Sequence, residues 1–276
     1  MQRIVVFMII SALSFTLLNV LVKSLNHFNV YQIVFFRSIG SLLFTFPLLL
    51  KSKINILGNK RTLLFTRAVF GFTAMTLFFS SLKYLTTGSA VAIRYIAPIF
   101  ATIFATFMLK ENIKKQQWLY FGIAFSGILI LKGFDANVGN IGLLYVTISA
   151  VLTGIVFILI RKIGNEDHPL VIVNYFMCIS AILGGFLMYQ HWVTPKNIEW
   201  ILLLGLGVFG YYGQYYMTKA FQKSEINKVA PLKYIEAIFT ILIGSIWLDE
   251  IYTLYSLLGI LLILTGLTLN TLLIKK

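Results

Sequence analysis

Two apolar stretches of the chain decide its fold: AVAIRYIAPIFATIFATFMLKE at residues 90–111 and APLKYIEAIFTILIGSIWLDE at residues 230–250. They align without gaps when the chain is shifted by 139 residues, which relates the two halves of the chain by an internal repeat. The shift pairs Arg94 with Lys233, Tyr95 with Tyr234, Glu111 with Glu250, Gly71 with Gly210, and Gly127 with Gly266.

The composition favours a lipid bilayer as the surroundings of this chain. Of 276 residues, 59% are hydrophobic and 12% are charged, whereas a soluble domain carries about 25% charged residues. The net charge is +14. Because the Lys and Arg residues lie in short loops between apolar runs, they indicate membrane topology and contact with anionic lipid, and we expect no nucleic acid partner.

Ten stretches are apolar and long enough to span a membrane, since a span needs about 20 residues. They lie at residues 3–24, 30–50, 61–82, 87–109, 116–132, 139–160, 169–189, 198–220, 227–248 and 253–274. The first is expected to stay as a span, since no clear cleavage site for a signal peptide follows it. The loops are short, so the whole chain is expected to be one membrane domain.

The loop charges predict the orientation of these spans. If the N-terminus is cytoplasmic, 15 Lys and Arg residues face the cytoplasm, and Lys23, Lys83, Lys132 and Lys196 face outward. Both termini are therefore expected on the cytoplasmic side of the inner (plasma) membrane. Each repeat, at residues 1–138 and 139–276, then has five spans, and an odd number places the repeats upside-down relative to each other. The predicted fold is all-α, with ten transmembrane helices in two inverted five-helix repeats.

Five ionisable side chains fall inside the predicted spans, where each costs about 2.5–3.5 kcal/mol at the membrane centre. In one interpretation they line a cavity of net charge +3, which favours an anionic or zwitterionic solute. In the other, Lys233 and Glu236 neutralise each other across one helix face, while Arg37 and Arg67 cap carbonyls or extend to the membrane surface. The five residues are Arg37, Arg67, Arg94, Lys233 and Glu236.

Further polar side chains in the spans complete the candidate binding site. Glu236 is also a candidate proton site, because burial raises a carboxylate pKa while neighbouring cations lower it. Pro98 and Pro231 remove backbone hydrogen bonds, so kinks are expected there unless Pro231 lies in a first helical turn. The remaining candidates are Asn19, Asn174, Gln214, Tyr215, Tyr95 and Tyr234.

Five stretches, spread along essentially the full length of the chain, carry a resemblance to a known family: FFRS (35–38), RAVFGFTAM (67–75), the stretch 90–111, GILILKG (127–133) and the stretch 230–250. Through them the chain resembles the EamA-type members of the drug/metabolite transporter superfamily. The resemblance implies a secondary carrier whose central cavity is lined by spans one to four and six to nine, with spans five and ten at the periphery. It leaves the substrate open among amino acids, nucleotide sugars, vitamins, organic acids and drugs.

Two other classes of function remain open at this point, an integral-membrane enzyme and a membrane protein that does not transport. No G-x-x-x-x-G-K-[ST] motif is present, which argues against ATP hydrolysis by this chain. The acid pairs Glu166–Asp167 and Asp249–Glu250 are expected in solvated loops without a base beside them. The lone Cys178 and three separate histidines show no metal-ligand spacing, so we expect no metal and no cofactor. The leading prediction is a transporter of a small solute, monomeric or homodimeric.

Overall fold

The computed structural model describes residues 2–52, 54–109, 115–134, 139–223 and 230–274, and within these ranges every regular element is helical. The helices are α1 (Gln2–Ser24), α2 (Val30–Lys51), α3 (Arg61–Ser81), α4 (Thr87–Arg94), α5 (Ala97–Leu109), α6 (Lys115–Phe134), α7 (Asn140–Ile163), α8 (Pro169–Met188), α9 (Glu199–Lys223), α10 (Tyr234–Trp247) and α11 (Leu254–Ile274). Short 3₁₀ turns lie at Tyr189–His191 and Ala230–Lys233. Outside the described residues lie Glu111, the repeat partner of Glu250, and the predicted cytoplasmic cations Lys53, Lys110, Lys114, Lys228, Lys275 and Lys276.

Helices occupy all ten predicted stretches, one of them as the pair α4 and α5. Within the described ranges, six stretches are long and apolar enough to cross a bilayer: Arg3–Ser24, Val30–Lys51, Arg61–Ser81, Thr87–Phe104, Asn140–Ile163 and Pro169–His191. The segments Tyr234–Trp247 and Leu254–Asn270 are shorter apolar helices. Many large hydrophobic side chains face outward from the bundle, as Phe107, Phe186 and Ile246 do. An outward apolar surface of this kind is what a protein solvated by lipid presents.

The helix of the fourth predicted stretch is interrupted between α4 and α5. Tyr95 and Ile96 form a turn in which the amide of Ile96 donates to the carbonyl of Ile93 at 3.1 Å. Pro98 causes the interruption, because its ring excludes the carbonyl four residues earlier, that of Arg94, from a helical hydrogen bond. The predicted kink is therefore a break that leaves Arg94 at the end of one short helix. Pro231 instead lies in the 3₁₀ turn that directly precedes α10. This is the alternative in which Pro231 belongs to a first helical turn and causes no kink.

The break after α4 and the 3₁₀ turn before α10 meet inside the bundle. Tyr95 follows α4, and its repeat partner Tyr234 begins α10 directly after the 3₁₀ turn. Their rings are 5.7 Å apart between centroids and nearly perpendicular, at 67°. The preceding cations, Arg94 and Lys233, are thereby brought to one region of the interior.

Helices α6 and α11 contact each other through a reciprocal pair of glycines. Gly127 lies against the backbone of Gly259 and Ile263, and Gly266 lies against the backbone of Tyr120 and Ala124. Since Gly259, Ile263 and Gly266 follow Tyr120, Ala124 and Gly127 by 139 residues each, the same contact occurs twice with the roles of the helices exchanged. Small residues of this kind let two helix backbones approach closely in a membrane.

Hydrogen-bonded carboxylates join loops at both ends of the bundle, a half-buried one at one end and a buried one at the other. At the end that we name the Glu250 end, the Glu250 carboxylate accepts hydrogen bonds from the amide of Thr87 at 2.8 Å, the hydroxyl of Thr87 at 2.7 Å and the hydroxyl of Tyr252 at 2.5 Å. Burial and the neighbouring Glu250 carboxylate raise the pKa of the Tyr252 hydroxyl well above its usual value. Glu250 thus caps the N-terminus of α4, where the helix dipole favours a negative charge.

At the opposite end, named the Asp167 end, Asp167 is 3% exposed and joins the loop before α8 to the start of α3. Its carboxylate accepts hydrogen bonds from the amides of Asn59 at 2.6 Å and Lys60 at 3.0 Å. The expectation that both acid pairs are solvated is therefore wrong for Asp167 and for the Glu250 carboxylate. Each fills the orphan amide positions at the start of a helix.

The glycine contact between α6 and α11 predicts unequal effects of two identical substitutions in α6. A Cβ at Gly127 would lie 2.5 Å from the carbonyl oxygen of Gly259, whereas a Cβ at Gly122 meets nothing within 4 Å. We expect Gly127→Ala to destabilise the protein by about 1–3 kcal/mol through overpacking. The control Gly122→Ala should be neutral or stabilise it by about 0.5–1 kcal/mol. The melting temperatures of the purified variants in one detergent check this, and equal values would contradict the contact.

Candidate functional site

A central cavity lies between helices from both halves of the chain. Its lining side chains come from α1–α4, from α7–α9 and from Lys233 just before α10, and α6 and α11 supply none of them. This is the lining that the family resemblance implies for spans one to four and six to nine. The empty space measures about 610 Å³ when its opening to solvent is included.

Six of the candidate residues predicted from the sequence line this cavity. They are the cations Arg37, Arg67, Arg94 and Lys233, and the amides Asn19 and Gln214. Both Arg37 and Arg67 are only 1% exposed, so the interpretation that they extend to the membrane surface is wrong. The partners recorded for their side chains are also side chains, not the carbonyls that the capping alternative requires.

Arg37 and Arg67 share one aromatic neighbour and keep unused hydrogen-bond donors. Their guanidinium carbons lie 5.7 Å and 4.3 Å from the ring centroid of Phe176. One donor of Arg37 contacts the Met75 sulfur, and one donor of Arg67 bonds the Gln214 oxygen at 3.3 Å. Nε of Arg37, and Nε and Nη1 of Arg67, are buried without a hydrogen-bond partner among the described residues. A buried charge with unused donors is costly unless something else binds there.

Glu236 is paired with Arg94. Its Oε1 lies 3.8 Å from Nη2 of Arg94 and accepts a hydrogen bond from the Asn19 amide at 3.3 Å. Glu236 is fully buried and stands behind the cavity wall, and its Oε2 has no hydrogen-bond partner among the residues that the structure describes. In one of the two interpretations Glu236 neutralises Lys233 on the same helix; the close ion pair that the structure describes is Arg94 with Glu236, between the two halves of the chain.

Lys233 is enclosed by soft and aromatic groups. Its Nζ lies 3.4 Å from the Met217 sulfur and between 5.6 and 5.8 Å from the ring centroids of Phe15, Phe157 and Tyr95. Ring faces attract a cation but replace only part of its hydration. Lys233 thus presents a desolvated ammonium group to the cavity.

The remaining candidate residues lie outside the central cavity. Tyr95 and Tyr234 border a smaller neighbouring space that shares Arg94 and Lys233 with it. Asn174 joins α8 to α2, because its side-chain oxygen accepts a hydrogen bond from Thr45 at 3.0 Å. Tyr215 stacks on Tyr211 within α9, at 5.7 Å between ring centroids.

Sequence reasoning missed most of the apolar and hydroxyl lining of the cavity. Phe176 was one signal that could have been used, because it is the repeat partner of Arg37 at the 139-residue shift. Gly71 packs against Phe176 and Arg67, and its partner Gly210 packs against Arg37. The other missed lining residues include Phe15, Met75, Phe79, Ser149, Thr153, Phe157 and Met217.

Outward apolar helices around a charged central cavity define a multi-pass helical membrane protein. The chain belongs to the EamA-like transporter family, whose pattern it matches twice, at residues 2–132 and 140–272. It is therefore a membrane transporter, with a small molecule as its substrate. No group of three metal-binding side chains occurs in the described parts of the chain.

Individual relatives are distant but match along most of the chain. The pseudopaline exporter CntI of Pseudomonas aeruginosa is 26% identical over 250 residues, which cover 90% of this chain and 88% of the relative. The S-adenosylmethionine uptake transporter of Rickettsia prowazekii is 25% identical, covering 76% of this chain and 72% of the relative. Human solute carrier family 35 member G1 is 24% identical over a match that covers 94% of this chain and 76% of the relative. A solved crystal structure shares the fold with a TM-score of 0.76, 16% identity and 99% coverage of both chains.

The unused donors of Arg37 and Arg67 predict an unusual stability effect. Replacing either cation by a neutral side chain removes an uncompensated buried charge, which costs several kcal/mol. We expect Arg37→Gln and Arg67→Gln to keep or raise the melting temperature of the ligand-free protein by a few degrees. The matched control is Arg61→Gln at an exposed position, which should leave the melting temperature unchanged. A large loss of stability in both cavity variants would show that the two arginines hold the fold together.

Proposed function

We propose that this protein is a secondary transporter that works by alternating access and carries a small anionic or zwitterionic metabolite across the cytoplasmic membrane. An organic acid, an amino acid or a nucleotide-like solute fits this description. The observation that carries the proposal is the convergence of four cations on one central cavity, with Glu236 standing behind its wall. Arg37, Arg67 and Lys233 are buried, and Arg94 is partly exposed. Such a site attracts negative charge strongly because the surroundings screen it poorly.

The proposed architecture consists of ten transmembrane helices in two inverted repeats, residues 1–138 and 139–276. The two separate matches to the family pattern support the duplication. The exchanged glycine contacts of α6 and α11 support a two-fold relation between the halves, because both contacts use residues 139 positions apart. Two copies of one unit can adopt different conformations and exchange them, which opens a central site to each side in turn.

The connections at the two ends of the bundle suit such an exchange. Glu250 and Lys23 tie segments together at the Glu250 end, where Nζ of Lys23 donates to the carbonyls of Leu82 and Leu85. Asp167 ties them at the Asp167 end. These are discrete hydrogen bonds between loops and helix ends, so either set can break while the cavity side chains keep their positions. The loop charges support an orientation with the Asp167 end and both termini in the cytoplasm.

Glu236 is the proposed proton-binding group of the transport cycle. Arg94 and Asn19 occupy its Oε1, while Oε2 is buried without a partner in the described ranges. Tyr95, Tyr234 and Lys233 are the other titratable groups around it. A substrate anion that attracts Arg94 would compete with the Glu236 carboxylate for that cation.

Transport assays on proteoliposomes test the proposed carrier. We expect counterflow of labelled succinate or alanine, but not of choline, because the cavity wall is cationic. Lys233→Gln should lower the rate roughly tenfold by removing a desolvated charged donor, Lys233→Arg should retain part of it, and Arg61→Gln should behave like the wild type. Transport of choline without transport of either other solute would contradict the proposed charge preference, and absence of flux with all three would contradict the carrier itself.

Proton coupling is tested on the same vesicles with an imposed pH gradient. The wild-type rate should respond to the gradient, whereas Glu236→Gln, which keeps the shape and the Asn19 contact, should carry solute at a rate independent of it. Ionophores that collapse the gradient provide the control. An unchanged response in Glu236→Gln would remove Glu236 as the coupling group.

A further inference from the structure

The charge of the central cavity is only partly balanced by the protein. Arg37, Arg67, Arg94 and Lys233 all reach its wall, and the lining given by the described residues contains no Asp or Glu. Glu236 lies within 4 Å of Arg94 and neutralises one of the four cations. Three positive charges therefore remain in an interior where a single unpaired charge is already expensive. A ligand with one negative charge would leave two of them unbalanced.

The cations fall into two pairs, which differ in the side chains and spaces that they border. The first is formed by Arg37 and Arg67, whose guanidinium groups lie over the same ring of Phe176 and keep three buried donors unused. A guanidinium fork matches the two oxygens of a carboxylate or the oxygens of a phosphate group. The second is formed by Lys233 and Arg94, which border both the central cavity and the smaller space next to it.

The rest of the cavity lining is largely apolar. Phe15, Phe79, Phe157 and Phe176 contribute rings, and Met75 and Met217 contribute thioethers. Such a lining suits a carbon skeleton and offers little to an inorganic ion, which would have to give up its hydration without replacement. An apolar lining that carries four cations, and no carboxylate among the described residues, therefore matches an organic molecule with more than one anionic group.

We infer that the substrate is an organic oxyanion with at least two negative charges, one held by Arg37 and Arg67 and the other directed at Lys233 and Arg94. The inference rests on the proposed transport function and narrows its substrate class, which there includes zwitterions and monoanions. A dicarboxylate and a phosphate ester share this chemistry. Bidentate binding by the first pair gives Arg37 and Arg67 a role in selecting dianions, beyond attracting negative charge in general.

Ligand-induced thermal stabilisation of the purified protein tests the inference, since a ligand raises the stability of the state that it binds. The probes are succinate, its monoanionic relative monomethyl succinate, glycerol 3-phosphate, alanine and choline, at constant ionic strength. We expect succinate or glycerol 3-phosphate to stabilise the wild type at concentrations at least about tenfold lower than monomethyl succinate needs, because the monoester loses a charge-assisted contact. Comparison of succinate with glycerol 3-phosphate shows whether the protein prefers a carboxylate or a phosphate.

Three variants locate the effect. Arg37→Gln and Arg67→Gln should each raise the required dianion concentration about tenfold or more while changing the response to monomethyl succinate less. Arg67→Lys keeps the charge but not the fork, so it should lose most of the preference for the dianion. Arg61→Gln is the control. Ligand-free melting curves and gel filtration identify a variant that misfolds. The variants that fold then show whether Arg37 and Arg67 produce the preference for a dianion.

The outcomes separate this inference from the proposed function. If vesicle counterflow depends on Lys233 but the carried solute is a monoanion, a zwitterion or a cation, the protein is a transporter and the dianion inference is wrong. The inference is equally wrong if monomethyl succinate binds as well as succinate, or if Arg37→Gln and Arg67→Gln behave like Arg61→Gln. If dianions bind with the predicted pattern but no solute crosses the vesicle membrane, the ligand class stands and the transport proposal fails.

Discussion

Uncompensated positive charge in a low-dielectric interior is the constraint on which the rest of this structure depends. A buried ion loses several kcal/mol of hydration, and attraction to a partner returns that energy only when the geometry is good. This protein holds Arg37 and Arg67 at 1% exposure, with donors left unused among the described residues. A fold does not gain stability from such an arrangement. Buried arginines with unused donors make physical sense if a ligand supplies the missing negative charge during part of the proposed transport cycle.

The helices place these charges by two devices that both arise from the repeat. One helix ends at Arg94 and another begins directly after Lys233, and the adjoining Tyr95 and Tyr234 rings pack against each other inside the bundle. Glycines then make room for the side chains, Gly71 beside Arg67 and Gly210 beside Arg37. Non-helical backbone is tolerated at membrane depth only where protein or a cavity surrounds it. The ends of the helices and the glycines therefore both position the cations around the cavity.

The two halves are similar in backbone pattern and different in chemistry, and the difference concerns function. Arg94 and Lys233 are both cations, but the repeat partner of Glu236 is Ala97. The single carboxylate thus stands on one side of an otherwise matched arrangement and pairs with the cation of the opposite half at 3.8 Å. If Glu236 binds protons as proposed, the coupling site lies in one repeat alone. In the same way, Arg37 has Phe176 as its partner, so that a cation from one half lies over a ring from the other.

The sequence predicts the helices and the charged side chains well, because apolar length, the 139-residue shift and the energetic cost of ions in lipid are all local or additive properties. It does not predict which groups pair. Lys233 and Glu236 share a helix face by spacing, yet Glu236 pairs with Arg94, because tertiary packing brings α4 nearer to that carboxylate. The roles of Asp167 and Glu250 were missed for the same reason, since each bonds an amide more than 100 residues away. Asn174 and Tyr215 are polar residues in apolar spans, and helix-to-helix hydrogen bonding and ring stacking account for them without a ligand.

A structure of the purified protein with bound succinate would test the central claim most directly. The account predicts one carboxylate within about 3 Å of the guanidinium nitrogens of both Arg37 and Arg67, at the distance of a charge-assisted hydrogen bond. The second carboxylate should lie on the side of Lys233 and Arg94. A structure in which Arg37 and Arg67 are satisfied by protein groups, with succinate absent from the central cavity or bound elsewhere, would contradict it.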